Sequence, residues 1–183
     1  MRIISGKYKG KTIQVPTNYK LRPTTDFAKE SLFNIISNFF DFENLKVLDL
    51  FAGTGSITLE FCSRGVEHIT SVEKQPLHSK FIANICAELE FKQVQIITAD
   101  VFKYIEKLNE SFDIIFADPP YKLPNINIIP DIIFNNKILS RNGILIIEHG
   151  STTSFLQHKQ FYTFKKYGSV HFSFFEHKDN TSS

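Results

Sequence analysis

The chain has 183 residues, 42% hydrophobic and 22% charged, with a formal net charge of +2. That length suits one domain, or one domain with an appendage, and buries roughly 70% of the unfolded surface. The composition excludes gross disorder. No apolar run approaches the ~18 residues of a membrane span, and the opening MRIISGKYKGK lacks the apolar core of a secretory leader. The two cysteines, Cys62 and Cys86, have no CxxC spacing and no clustered histidines. Neither a disulfide framework nor a metal site is expected, and the protein reads as cytoplasmic, with no membrane attachment.

Arg2–Ser5 and Lys11–Val15 are strand-like runs around a loop with Gly6 and Gly10, which predicts a hairpin ended by Pro16. Residues 1–22 carry Arg2, Lys7, Lys9, Lys11, Lys20 and Arg22 and no acid, while the remaining 161 residues carry a net −4. A basic segment on a mildly acidic body fits a phosphate-binding arm. It equally fits a solvated edge whose lysines deter aggregation. The division expected is a basic arm over 1–22, a body over 23–178 and a polar tail over 179–183.

After Arg22-Pro-Thr-Thr-Asp26 a helical pattern runs from Phe27 to Phe40, with Thr24, Thr25 or Asp26 as N-cap. Strand and helix then alternate. Strands are predicted at Lys46–Phe51, His68–Val72, Val94–Thr98, Phe112–Ala117 and Ile144–Ile147. Helices are predicted at Ser56–Arg64, Pro76–Leu89, Val101–Leu108 and about Pro130–Leu139, with a turn at Asn142-Gly143. Phe161–Lys166 and Val170–His177 predict a closing antiparallel hairpin around Gly168. This alternation argues for an α/β fold with a mostly parallel sheet and helices on both faces. In such sheets ligands bind beyond the carboxyl ends of the strands, so the chemistry should follow each strand.

The first strand leads into Phe51-Ala52-Gly53-Thr-Gly55. Glycines permit positive φ and close approach of a ligand, although a tight strand–helix turn needs them as well. A dinucleotide site uses three glycines, and the third is missing here. Asp49, just before the loop, would repel a pyrophosphate and favour a cation such as S-adenosylmethionine. Glu73 ends the second strand, where an acid can accept ribose hydroxyls. Asp100 ends the third and can accept an adenine amino group, with the Val101 amide near a ring nitrogen; it is also a good N-cap. The fourth strand ends in Asp118-Pro119-Pro120-Tyr121. Two prolines stiffen the turn. The carboxylate and the Pro119 carbonyl are then two fixed acceptors for an –NH₂ group, and Tyr121 offers a face for a base.

These residues resemble a class I S-adenosylmethionine-dependent amino-methyltransferase. RIISGKYKGKTIQVP, LRPTTD, LDLFAGTGSITLEFCSRG and IIFADPPY, in that order, are similar to the bacterial 16S ribosomal RNA (guanine-N2)-methyltransferase family, which modifies guanine 966. The resemblance covers nearly the whole chain. It implies a Rossmann-like sheet of seven strands with an added N-terminal hairpin, S-adenosylmethionine as methyl donor, and the small ribosomal subunit as substrate for a monomeric enzyme. Asp118, Pro119, Pro120 and Tyr121 would be catalytic. Asp49, Phe51, Ala52, Gly53, Gly55, Glu73, Asp100 and Val101 would hold the cofactor. Arg2, Lys7, Lys9, Lys11, Arg22, Thr24 and Thr25 would meet RNA, the last three alternatively serving only as a helix start. Lys9 and Lys11 depart from the family's arginines, which replaces a bidentate fork with a point charge. The rival readings are methylation of another base, such as adenine N6 in DNA or RNA, a non-catalytic RNA-binding assembly factor, and a small-molecule enzyme. Cys62 and Cys86 read as core residues, and His149 as a strand-end residue near the site.

Overall fold

The computed structural model describes residues 1–17, 19, 25–121 and 123–178. Lys20, Arg22, Thr24 and the tail 179–183 lie outside the described residues.

Seven strands form one sheet: β1 Lys46–Leu50, β2 His68–Glu73, β3 Val94–Thr98, β4 Phe112–Ala117, β5 Leu139–His149, β6 Phe161–Tyr167 and β7 Val170–Phe175. Their order is β3-β2-β1-β4-β5-β7-β6. β1 through β5 pair in parallel, and β7 runs antiparallel to both β5 and β6. The strand order reverses between β1 and β4, which makes their carboxyl ends the crevice where α/β sheets bind ligands.

Among the described residues five α-helices cover the two faces: α1 Asp26–Ile36, α2 Ser56–Arg64, α3 Pro76–Glu88, α4 Val101–Ile105 and α5 Ile129–Asn135. Alternate strand residues point to opposite faces, so two cores form. Val47, Ile69, Ile114, Phe116, Ile146 and Phe172 pack with α1, α2 and α3. Leu48, Leu50, Val72, Ile115, Leu145 and Ile147 pack with α4 and α5. Cys62 and Cys86 are free and buried on the first face, and burial raises both thiols, Cys86 to about 12.

Several local expectations are corrected, among them the helix to Leu139, since α5 ends at Asn135 and Leu139 begins β5. Asn142-Gly143 is not a turn but an irregular stretch inside β5, Leu139–His149, where the pairing with β4 shifts register from Phe112–Leu139 to Ile114–Ile144. A Cβ at Gly143 would lie 2.8 Å from the Asp113 carbonyl oxygen, so that glycine permits a close strand approach. α1 stops at Ile36, where 37–39 form a turn with Phe39 N–H donating to Ile36 O (3.0 Å). α4 ends at Ile105 rather than Leu108.

The N-terminal segment is a hairpin with a single bridge, Arg2 to Thr12, rather than two full strands. Ile3 N–H donates across the hairpin to Lys11 O (3.0 Å), Gly10 N–H to Ile3 O (2.8 Å) and Ile13 N–H to Met1 O (2.8 Å), while the donors of Ile4, Ser5, Lys7 and Tyr8 go elsewhere. Ile4 N–H and Ser5 N–H donate to the Glu60 carboxylate (2.7 and 3.0 Å), Lys7 N–H to Ser63 O (2.7 Å), and Tyr8 N–H to Ser63 Oγ (3.0 Å). The hairpin is therefore docked on α2, with Ile3 and Ile13 in the first core. Lys29 of α1, only 1% exposed, sits behind it. Its ammonium donates to Arg2 O and to Ser56 Oγ (3.2 Å) and lies 3.7 Å from Glu60.

Candidate active site

Every residue of the crevice comes from the carboxyl end of a strand. β1 ends at Leu50, and the chain turns through Phe51 (φ 62°), Gly53 (φ 57°) and Gly55 (φ 77°) into α2. At Gly55 the positive φ is joined by close packing: a Cβ would meet Ile82 Cγ1 at 2.9 Å. The loop is closed by Gly55 N–H to Ala52 O (2.7 Å) and anchored by Ala52 N–H to Val72 O (3.0 Å). Its centre is held by Glu73, whose Oε2 accepts from Gly53 N–H (2.9 Å) while Oε1 accepts from Gln75 N–H (2.7 Å). Each oxygen keeps a second lone pair. Glu73 thus fixes the loop and can still accept hydroxyls from a ligand.

Asp49 lies beneath the loop, 1% exposed. The Thr58 hydroxyl donates to its carboxylate and is also 3.0 Å from Ser71 Oγ. Burial pushes the Asp49 carboxyl up to about 7, against the pull of the Thr58 hydrogen bond. Its negative charge is thus poorly stabilised until a cation comes near. Asp100 is the N-cap of α4, accepting from Lys103 N–H (3.4 Å), with Val101 the first helical residue. Lys74 donates to its Oδ2 (3.1 Å), and that hydrogen bond leads the causes that hold Asp100 below the usual carboxylate range. Sequence reasoning missed this lysine, although it is next to Glu73.

At the switch point Asp118 N–H donates to Leu50 O (3.2 Å), which ties the Asp118–Tyr121 turn to β1. Asp118 is half-buried, Pro119 buried and Pro120 exposed. Leu123 N–H donates to Pro120 O (2.8 Å) and closes the turn. The Tyr121 ring is 41% exposed and lies over Gly150, 3.5 Å from where a Cβ would stand. Gly150 was not a sequence candidate; it follows β5, the same signal that marked the others. His149, beside it, is 3% exposed, with Nδ1 2.9 Å from Gly150 O and Nε2 2.8 Å from Ser173 Oγ. Desolvation lowers its pKa, so it is a neutral strand-end link.

The basic residues are not all equally available. Arg2 pairs with Asp26 (3.0 Å) and Lys11 with Glu88 (2.9 Å). Lys7 lies over the Tyr8 ring, and Lys9 is exposed at a cavity of about 200 Å³ that also touches Arg2 and Glu30. Thr25 is the N-cap of α1, accepting from Ala28 N–H (3.2 Å). Arg22 and Thr24 fall outside the described residues. Among the described residues no His, Cys, Asp or Glu cluster is placed to hold a metal, and no helix is long and apolar enough to cross a membrane.

A family model described as Conserved hypothetical protein 95 matches residues 1–176. The chain belongs to this family. The Conserved hypothetical protein 95 chain is 36% identical over 155 residues to the ribosomal RNA small subunit methyltransferase D of Buchnera aphidicola subsp. Baizongia pistaciae, covering 83% of this chain and 77% of that protein. It is 35% identical over 153 residues to a putative rRNA methyltransferase of Bacillus subtilis, covering 81% and 82%. A solved putative methyltransferase from Escherichia coli matches with a TM-score of 0.84 at 24% identity, over 97% of this chain and 99% of that one. A putative SAM-dependent methyltransferase from Streptococcus mutans matches at 0.64 and 17%, over 80% and 48%. The fold of this Conserved hypothetical protein 95 member is thus the Rossmann-like methyltransferase sheet.

Proposed function

We propose that the protein transfers a methyl group from S-adenosylmethionine to the exocyclic N2 of a guanine in 16S ribosomal RNA, guanine 966, on an assembled or assembling small subunit. One observation carries the reading. The Asp118–Tyr121 turn is tied to β1 at the switch point, with a half-buried carboxylate and an exposed ring over Gly150 at the end of β5. The names of the curated relatives support ribosomal RNA as the substrate class.

The residues present fit S-adenosylmethionine. Carboxylates end three neighbouring strands, and the loop from Phe51 to Gly55 contains no cation. That set suits a ligand with an ammonium, a sulfonium and ribose hydroxyls, and disfavours a pyrophosphate. Glu73 would take the ribose, Asp100 and Val101 the adenine, and the loop over Asp49 the amino-acid end. When bound, the cofactor supplies an electrophilic methyl on sulfur. Guanine N2 is a weak nucleophile because its lone pair is delocalised into the ring. The Asp118 carboxylate and the Pro119 carbonyl accept its two hydrogens and favour a pyramidal nitrogen with an aimed lone pair. Orientation and fixed acceptors at the site of developing positive charge supply the rate. Tyr121 stacks on the base, which must leave any helix to reach the pocket.

The test is methyl transfer from labelled S-adenosylmethionine to unmodified small subunits, followed by nucleoside identification. N2-methylguanosine at one site is the expected product. Incorporation into another nucleoside would remove the substrate assignment, and no incorporation by protein that binds the cofactor would favour an assembly factor. Asp118→Ala should lower turnover by about 100–1,000-fold, the size of losing a fixed acceptor, with cofactor affinity unchanged. Wild-type turnover in that variant would end the mechanism.

A further inference from the structure

Phe27, the second residue of α1, is 68% exposed, more than any other large apolar side chain among the described residues. Ala28, Leu32, Phe33 and Ile36 of the same helix are buried, so the core has no use for it. Yet its ring is not loose. It makes an edge contact with Tyr167 at the end of β6, centroids 5.8 Å apart and planes at 78°. Tyr167 in turn packs on Phe172, 6.0 Å away. An edge contact of this kind leaves most of the Phe27 ring open to solvent.

The pair stands at the catalytic end of the sheet. Two residues after Phe27, Lys29 bonds to Ser56, the first residue of α2 after the glycine loop. Tyr167 pairs across the sheet with Val170, and the next residue, His171, pairs with His149, beside the Gly150 that carries Tyr121. Charged side chains of both signs are near in the chain, Asp26 and Glu30 on α1 and two cations. Arg2 is held next to Phe27 by its bond to Asp26 (3.0 Å). Lys165 is exposed two residues before Tyr167, so it lies on the same face of β6. An open, propped aromatic ring with basic residues nearby matches a nucleobase with its phosphates, because every base has a stacking face.

We propose that Phe27, propped by Tyr167, is a stacking platform for an unpaired RNA base flanking the nucleotide that enters the pocket. This rests on the reading of RNA as substrate. The chain has no tryptophan, so Phe27→Trp creates a single fluorescent reporter at the platform. Titration with a short single-stranded oligoribonucleotide should quench it saturably, and added salt should weaken the effect. Phe27→Ala and Phe27→Leu should each raise KM for small subunits about five- to tenfold, a loss in the range of one stacked base. Their kcat and cofactor affinity should stay within about twofold of wild type, and Phe27→Trp should restore KM. No saturable quenching, or a Phe27→Leu variant with wild-type KM, would overturn the platform. Failure of the wild type to methylate ribosomal RNA would defeat the substrate reading instead, and the quenching would still decide whether a base stacks on residue 27.

Discussion

Glu60 is the most consequential buried charge for the N-terminal hairpin. Its carboxylate is fully buried and accepts from Ile4 N–H, Ser5 N–H and Arg64 Nε (2.7, 3.0 and 2.9 Å), with the Lys29 ammonium 3.7 Å away. Glu60→Gln keeps the shape but removes the charge and turns one acceptor into a donor. Lys29 then remains buried with only the Asp26 carboxylate as counter-charge; desolvation already leads the causes that lower its pKa. Breaking a buried pair from one side costs about 3–5 kcal/mol. For a domain of this size each kcal/mol moves Tm by about 2–4 °C, so the fall should be roughly 6–20 °C. Urea titration and thermal melting of purified protein measure it. The variant Lys29→Met with Glu60→Gln should recover part of the loss, though the donors on Ile4 and Ser5 still lack a full acceptor. A single-variant loss below about 1 kcal/mol, or an equal loss with and without Lys29, would refute the argument, since the pair could then not be coupled.

Two more outcomes follow from the geometry. The Asp49 carboxyl, raised to about 7 by burial, binds its proton more tightly in the folded chain than in the unfolded one. Stability of the ligand-free protein should therefore fall as pH rises from about 4 through 7, by up to a few kcal/mol, and Asp49→Asn should flatten that decline; urea midpoints at pH 5 and 8 are the check. Gly6→Ala should unseat the hairpin, because φ there is +80° and a Cβ would come 1.9 Å from Ser63 O. Proteolysis confined to the first residues, with the sheet intact by circular dichroism, is the expected pattern.

Much of the crevice was legible because β1, β2, β3 and β4 are short apolar runs, each followed by a distinctive residue type. α2 and β4 have the bounds read from the sequence, and the helix C-cap at Gly65 has φ 88°. Two of the misreadings share a cause: a local signal was answered by a distant partner. Asn142-Gly143 reads as a turn, but Gly143 is small because β4 passes close to it. The N-terminal run reads as a hairpin of two strands; Ile3 and Ile13 do donate across it, but the donors of Ile4, Ser5, Lys7 and Tyr8 are satisfied by Glu60 and Ser63, more than 50 residues on. Lys74 and Gly150 were overlooked because each acts through a neighbour, Asp100 and Tyr121, that no spacing rule connects to it.

The strand order also bears on how the chain is made. β3, β2 and β1 are complete once Thr98 is synthesised, but the other edge of β1 pairs with β4, which ends at Ala117. At about 5–20 residues per second those 19 residues take about 1–4 s. During that interval Leu48 and Leu50 belong to a half-sheet with an open central edge. Elongation speed across residues 99–117 therefore sets how long a nascent, sticky intermediate survives, and substitutions that weaken β4 should show first as poor yield.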